Sequence, residues 1–505
     1  MKTILILCDT LIRNFLPVYG HKHTITPNIN RLAERSTTFD NHWIGSAPCM
    51  PARRDIFTGR IEFLERPWGP LEPFDKHLSV LLRGGGIYSH IITDHYHYFE
   101  LSGEGYCQKF DTWDFIRGAE LDLWASTVGK RYMIRPGIDG YEKVMGERRA
   151  TGHQEEYGAY SVQYELNRRR YDEEGFPCTR TFDAAVKWLE ENRNADNYLL
   201  AVESFTPHEP FDAPDEYRSA YTDDYDGPDY KWPSYAKTYE PDEAVKKLRN
   251  NYMSSVAFLD SCLGKLLDKM DEYGMWENTM VILTTDHGHM LGEHNFIGKD
   301  VMPEYNEISH IPLIVHYPGS AVQGTRIGAL TQNIDIFPTI LEYFGVEYNH
   351  EIHGKSWIPL LKGEAAALRD TVIYGTFGKD VNITDGKYTY TRRRENDDNQ
   401  PLYAYTAMPT SFTGCWNEEF FEELSAGRYL KRTRYPVYKV PVHELWLNDR
   451  YLEYCSRNML FDLSSDYRQE INLAGSPTEE KYIQLLIEKM KEMDSPEEQF
   501  TRLGL

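Results

Sequence analysis

Five apolar residues, Ile4-Leu5-Ile6-Leu7-Cys8, run together and stop at Asp9. A short continuous apolar run reads as a strand buried on both faces of a parallel sheet. Residues 88–92, 198–202, 280–283 and 313–315 read the same way. Segments of helical period separate them. Ile29, Leu32 and Ala33 form an apolar stripe after Thr26-Pro27-Asn28, and residues 78–82 read as a helix that stops at Gly84-Gly85-Gly86. Residues 181–192 are helical, and Val256, Leu259, Leu263, Leu266 and Leu267 mark one face of a long helix over 245–273. Strands alternating with helices predict an α/β fold, a large layered domain around a central, mostly parallel sheet.

The texture changes after about residue 365. Residues 371–374 and 387–391 alternate like short strands, with a turn at Asp385-Gly386. A last helix over 478–494 carries Tyr482, Leu485, Leu486 and Met490 on one face. The pattern predicts a main domain over 1–365 and a smaller α+β domain over 366–505. Residues 102–180 are aromatic and charged without clean period, and are expected to be an insertion with loops near the site.

Charge narrows the function classes. The 78 Asp and Glu outnumber the 55 Lys and Arg, for a formal charge of −23. Such a surface repels nucleic acid and anionic membrane. An anionic small substrate stays open, provided that its site concentrates positive charge. The runs Arg168-Arg169-Arg170 and Arg392-Arg393-Arg394 are followed by acidic residues and are expected to be solvated faces. Seven widely spaced cysteines without a C-x-x-C argue against a zinc ribbon and a disulfide framework. Reduced thiols in a cytoplasmic setting are the simplest expectation. The apolar run at 4–8 is shorter than the roughly 7–15 residues of a signal-peptide core. No stretch reaches the ~18 apolar residues of a membrane span. An Asn-Ile-Thr sequon begins at Asn382.

The sequence lacks a P-loop, a G-x-G-x-x-G after a strand, a G-x-S-x-G and an H-E-x-x-H. Polar residues stand instead at the ends of the expected strands. Asp9 follows the first, Asp94-His95-Tyr96-His97 the second, Thr206-Pro207-His208 the third and Asp286-His287-Gly288 the fourth. Open α/β sheets place ligands at that edge. A single strand-end Asp is often a helix cap and a single His often a core residue. Four such groups at equivalent topological positions point to a site.

Residues 47–60 read Ala-Pro-Cys-Met-Pro-Ala-Arg-Arg-Asp-Ile-Phe-Thr-Gly-Arg. This Cys-x-Pro-x-Arg, spacer, Thr-Gly-Arg pattern resembles the signature of sulfatases, in which a maturation enzyme oxidises the cysteine to formylglycine. The resemblance covers most of 1–365, which it makes the catalytic domain, and it implies the fold of the alkaline-phosphatase superfamily. Asp9 matches the family's first metal carboxylate, and Asp286-His287-Gly288-His289-Met290-Leu291-Gly292-Glu293-His294 resembles its second metal motif. His95 stands at the family's lysine and His97 at its histidine. Pro207-His208-x-Pro210-Phe211 and Gly298-Lys299 match its substrate-binding segments, and Leu460-Phe461-Asp462-Leu463 with Asn472-Leu473 its closing one.

The resemblance implies hydrolysis of a sulfate ester, on a sulfated carbohydrate or an aryl sulfate. One divalent metal, Ca²⁺ or alternatively Mn²⁺, would be held by Asp9, Cys49, Asp286 and His287. Oxygen donors suit Ca²⁺, and the imidazole also suits Mn²⁺. Cys49, Arg53, His97 and His208 are the candidate catalytic residues. His95, His208 and Lys299 are the candidate substrate ligands. One hydroxyl of the formylglycine hydrate attacks sulfur and the other expels sulfate, with His97 as candidate base. His208 or His95 would protonate the leaving group.

Three positions depart from the family pattern. Thr10 replaces a second acidic residue, His95 replaces lysine, and Ala52 replaces serine. Phosphonate monoester hydrolases tolerate these changes, so hydrolysis of phosphonate monoesters or phosphodiesters at the same site is the alternative. A non-catalytic anion-binding relative and a binuclear zinc phosphatase are further readings. The histidines 287, 289 and 294 would suit zinc, although two of them are expected to be structural.

Overall fold

The computed structural model describes residues 1–100, 105–126, 158–227, 229–233, 235–408, 410–411, 414–415, 422–442, 453–455 and 457–505. Eight strands build the central sheet. In chain order they are β1 (Lys2–Cys8), β2 (Thr37–Phe39), β3 (Tyr88–Thr93), β4 (Thr112–Phe115), β5 (Tyr198–Ser204), β6 (Thr279–Thr284), β7 (Leu313–His316) and β8 (Arg326–Ile327). Their order across the sheet is β8-β2-β7-β6-β1-β5-β3-β4. β1 is parallel to β5 and β6, and β3 is parallel to β5 and β4. β7 runs antiparallel to β6 and β2.

Both faces of the sheet are covered. Ile4, Ile6 and Cys8 enter one core with Val256, Leu259 and Leu263 of the helix Asp242–Glu272. Leu5 and Leu7 enter the other, with Leu78, Leu82, Ile336 and Ile340. Strand alternation therefore feeds two cores, which is why the run has no polar position. The parallel register brings the C-terminal ends of β1, β3, β5 and β6 to one edge: Cys8 lies opposite Ser204, Leu7 opposite Thr284 and Thr93 opposite Glu203.

A second sheet is ordered Met459–Asp462, Tyr388–Arg392, Val381–Thr384, Val372–Thr376 and Ser46–Ala47. Helix Pro477–Glu492 lays Tyr482, Leu486 and Met490 onto it. The strand Ser46–Ala47 comes from far upstream and pairs with Gly375 and Thr376 just before Cys49.

The described part of 102–180 carries edge strand β4 and helix Gly158–Glu174 besides loops; residues 102–104 and 127–157 lie outside the described residues. Two other expectations need correction. Arg394 is buried and donates to the Cys455 carbonyl at 3.0 Å, and Arg168 pairs with buried Asp212 at 2.8 Å. Both pairings reach distant positions of the chain, while Arg169 stays exposed as expected. Asn382 is 1% exposed and donates to the Tyr374 carbonyl, so the sequon is interior.

Candidate active site

The helix Cys49–Thr58 starts at the sheet edge where β1, β5 and β6 end. Gly59 ends it at φ 71, where a Cβ would meet the Phe337 ring at 2.9 Å. The Thr-Gly-Arg half of the motif thus terminates the helix that the cysteine half begins. Cys49 and Arg53 are one turn apart and share a face.

Arg53 is fully buried and forks across three carboxylates. Its Nε donates to Glu203 at 2.6 Å, Nη1 to Asp286 at 2.6 Å and Nη2 to Asp9 at 2.9 Å, and Nη1 also reaches the Cys49 carbonyl at 3.0 Å. Burial raises the Asp9 pKa, but Arg53 and Lys299 outweigh it and hold the carboxyl well below its usual range. Cys49 Sγ lies 3.1 Å from His287 Nε2 and 3.9 Å from Asp9 Oδ1. Burial and then Asp9 push the Cys49 thiol well up, so the unmodified thiol is protonated. His287 Nδ1 donates to the Gly288 carbonyl at 2.9 Å, which leaves the Nε2 lone pair, turned toward Cys49, as the ring's ligand atom for a metal. Gly288 is required here, because a Cβ would lie 1.9 Å from the Glu307 carbonyl oxygen. One donor atom each from Asp9, Cys49, Asp286 and His287 fall within 4.8 Å of one another.

Thr10 has φ 63, an outlier for a β-branched residue. Its N–H donates to Asp286 at 3.1 Å and its hydroxyl to Asp9 at 2.7 Å, while Lys299 donates to that hydroxyl at 3.0 Å. The neutral residue therefore links the lysine to the first carboxylate. Burial works against the Lys299 charge, but the carboxylates Glu209, Asp9 and Asp286 hold it in its charged form.

A cavity of about 280 Å³ opens over this cluster, lined among others by Cys49, Trp68, His97, Glu120, His208 and Lys299. His97 Nδ1 bonds Glu100 at 2.7 Å. His208 Nδ1 donates to the Glu209 carbonyl at 2.6 Å, and burial keeps the ring neutral. His95 is the exception among the expected substrate ligands. It is 0% exposed, does not line the cavity, and packs on Phe205 and Tyr98 with neither ring nitrogen bonded. Burial, then Arg53, holds it neutral. It therefore stands outside the lining of the cavity, unlike His97, His208 and Lys299. Asp94 ties strands together, accepting from the Phe205 N–H at 2.5 Å. His294 stacks on Tyr305, ring centroids 3.8 Å apart, and is no part of the metal cluster.

Sequence reasoning missed Glu203 and Glu209. Glu203 is the penultimate residue of the buried strand β5 and could have been noticed as a carboxylate inside a buried run. Glu209 is 1% exposed, accepts from the Tyr235 hydroxyl and lies 3.6 Å from Lys299. It stands between two motif residues, and nothing local marks it as charged and interior.

Comparison with known proteins agrees with the motifs. The sulfatase family model matches residues 2–346, and a model for the C-terminal part of N-sulphoglucosamine sulphohydrolase matches 292–426. The multifunctional alkaline phosphatase superfamily protein PehA of Trinickia caryophylli is 25% identical over 469 residues, covering 81% of this chain and 88% of its own. An arylsulfatase of Clostridium perfringens is 22% identical, covering 83% and 91%. Among solved structures, the phosphonate monoester hydrolase of Agrobacterium radiobacter superposes with a TM-score of 0.65 at 17% identity, covering 98% and 95%. A protein in complex with its substrate D-glucosamine-2-N,6-O-disulfate does so with the same score and identity, covering 98% of both chains. These last two share the alkaline-phosphatase-like fold of this chain. With a family model spanning most of its length and the motif residues gathered at one sheet edge, the chain belongs to the sulfatase family.

Proposed function

We propose that this sulfuric ester hydrolase cleaves the sulfate monoester of a saccharide, with Cys49 converted by a maturation enzyme to formylglycine. The observation that carries the reading is the convergence of Asp9, Cys49, Asp286 and His287 beneath a cavity that Lys299 and His208 also line. The donor set fits one divalent cation. Four buried carboxylates, Asp9, Asp286, Glu203 and Glu209, face two buried cations, Arg53 and Lys299, so the centre carries surplus negative charge. Ca²⁺ is the proposed occupant, with Mn²⁺ the alternative; when bound it polarises the nucleophile and offsets the charge of an incoming anion.

The chain's own residues supply the rest. Arg53 holds Asp9 and Asp286 in place through paired N–H donors. Position 49 opens a helix, whose first N–H groups and dipole favour an anion. Lys299 is a fixed cation for the sulfate oxygens. His208 lines the cavity with Nδ1 engaged by the Glu209 carbonyl, so Nε2 is the ring atom through which it would carry a proton once an anion in the cavity favours its charged form. That proton then serves the leaving oxygen. Glu100 orients the His97 ring at the cavity wall, as a base for the release step requires.

Sulfate monoesters and phosphonate monoesters both carry one negative charge, so charge alone does not separate the two readings. A paired assay does. The matured enzyme is expected to show a higher kcat/KM on glucosamine 6-sulfate or 4-nitrophenyl sulfate than on a phenylphosphonate monoester. The reverse order would assign the site to phosphonates. Asp286→Ala is expected to lose bound metal in elemental analysis; unchanged metal content would refute this ligand set, and two tightly held zinc ions would favour a phosphatase.

A further inference from the structure

Glu120 lines the cavity with Trp68, Tyr235 and Phe377, yet none of the chemistry above uses it. Its backbone sits at φ 41, a costly conformation for a residue with a Cβ. A well-anchored loop holds it there. The Tyr171 hydroxyl donates to the Gly118 carbonyl at 2.6 Å, and the fully buried Asn167 amide donates to the Asp122 carbonyl at 2.8 Å. The Gly118 N–H donates to the Asp122 carboxylate at 2.7 Å, and Ala119 packs with Tyr96 and Phe205. Both Tyr171 and Asn167 belong to the helix Gly158–Glu174, so this insertion shapes the cavity wall.

The Glu120 side chain gains little from the fold. The Tyr96 hydroxyl bonds its carboxyl, but Oε2 is buried and meets no donor. Buried acceptors are nearly always satisfied, so an unmet one on a cavity wall marks a place for a ligand's donor. Burial lifts the carboxyl to about 7 against the pull of His97, as expected of a group awaiting a partner. Asp300 also lines the cavity but is paired with Lys379 at 3.2 Å, which leaves Glu120 as the acceptor to be filled.

We infer that Glu120, which lines the cavity together with Trp68, binds the leaving group, and that this group is a sugar ring presenting hydroxyl or ammonium donors to the carboxylate. The inference rests on the sulfate-ester reading above and deepens it. The indole supplies a broad apolar surface for the ring, and the preset loop spares the ordering cost of binding.

The test compares kcat/KM on glucosamine 6-sulfate with that on 4-nitrophenyl sulfate, whose leaving group lacks such donors. A hydrogen bond to a charged group sets the scale, so Glu120→Ala is expected to lower the sugar-to-aryl ratio about tenfold or more, chiefly through KM. Glu120→Gln, which keeps the shape and a neutral acceptor, should fall between. Trp68→Ala, on a separate segment, should move the ratio the same way, so a folding defect in one variant does not decide the outcome. An unchanged ratio overturns the inference. So does a wild-type enzyme that cleaves the aryl sulfate but not the sugar. A wild-type enzyme that cleaves neither overturns the sulfate-ester reading itself.

Discussion

Replacement of Cys49 by alanine is expected to cost on the order of 10⁶ in kcat, the scale seen when a catalytic nucleophile is removed. The fold should survive. Cys49 is 2% exposed, and removal of one sulfur leaves a cavity worth only about 1 kcal/mol. The loss is chemical. The side chain lies 3.1 Å from His287 and 3.9 Å from Asp9, at the centre of the cluster. Burial and Asp9 disfavour a thiolate, so the unmodified residue is badly placed to act by itself. Peptide mass spectrometry of an active preparation should accordingly find formylglycine at position 49. Full activity from Cys49→Ala, or from a sample holding only the thiol, would refute this role.

The second large effect is expected at Arg53. Truncation to alanine leaves Asp9, Asp286 and Glu203 buried without their shared guanidinium. Breaking a buried ion pair by removing one partner costs about 3–5 kcal/mol, and three carboxylates depend on this one. The urea unfolding midpoint should fall clearly, and kcat should drop by roughly 10²–10³ as the cluster loses its geometry. Arg53→Lys should recover little of either, since a point charge cannot fork to three partners. Bound metal supplies some of the missing charge, so the stability loss should grow when chelator is added. An unfolding midpoint and kcat both equal to those of the parent would show that Arg53 is dispensable.

These expectations trace differently to the sequence. The candidate cluster of Cys49, Arg53, Asp9, Asp286, His287 and Lys299, which the fold brings together, was legible because each member sits in a local motif. The helix spacing that unites Cys49 and Arg53 is likewise local. His95 lies outside the cavity lining for a reason that no local pattern carries. Its motif position suggested a ligand, but Phe205, from the end of a different strand, packs over its ring and helps to seal it. Arg168 and Arg394 depart from the solvated reading of their runs for the same reason, since Asp212 and Cys455 are far along the chain, whereas Arg169 is exposed.

By itself the sequence determined the α/β class, the principal strands and helices and the motif residues, because burial period and helix capping depend on near neighbours. Only the tertiary structure decided that Glu203 joins Arg53, that Glu209 joins Lys299, that Thr10 bridges Lys299 to Asp9, and that Glu120 reaches the cavity from an insertion without clean pattern. Coulomb forces and desolvation depend on distance in space and on what excludes water, and neither is written in the spacing of residues along the chain.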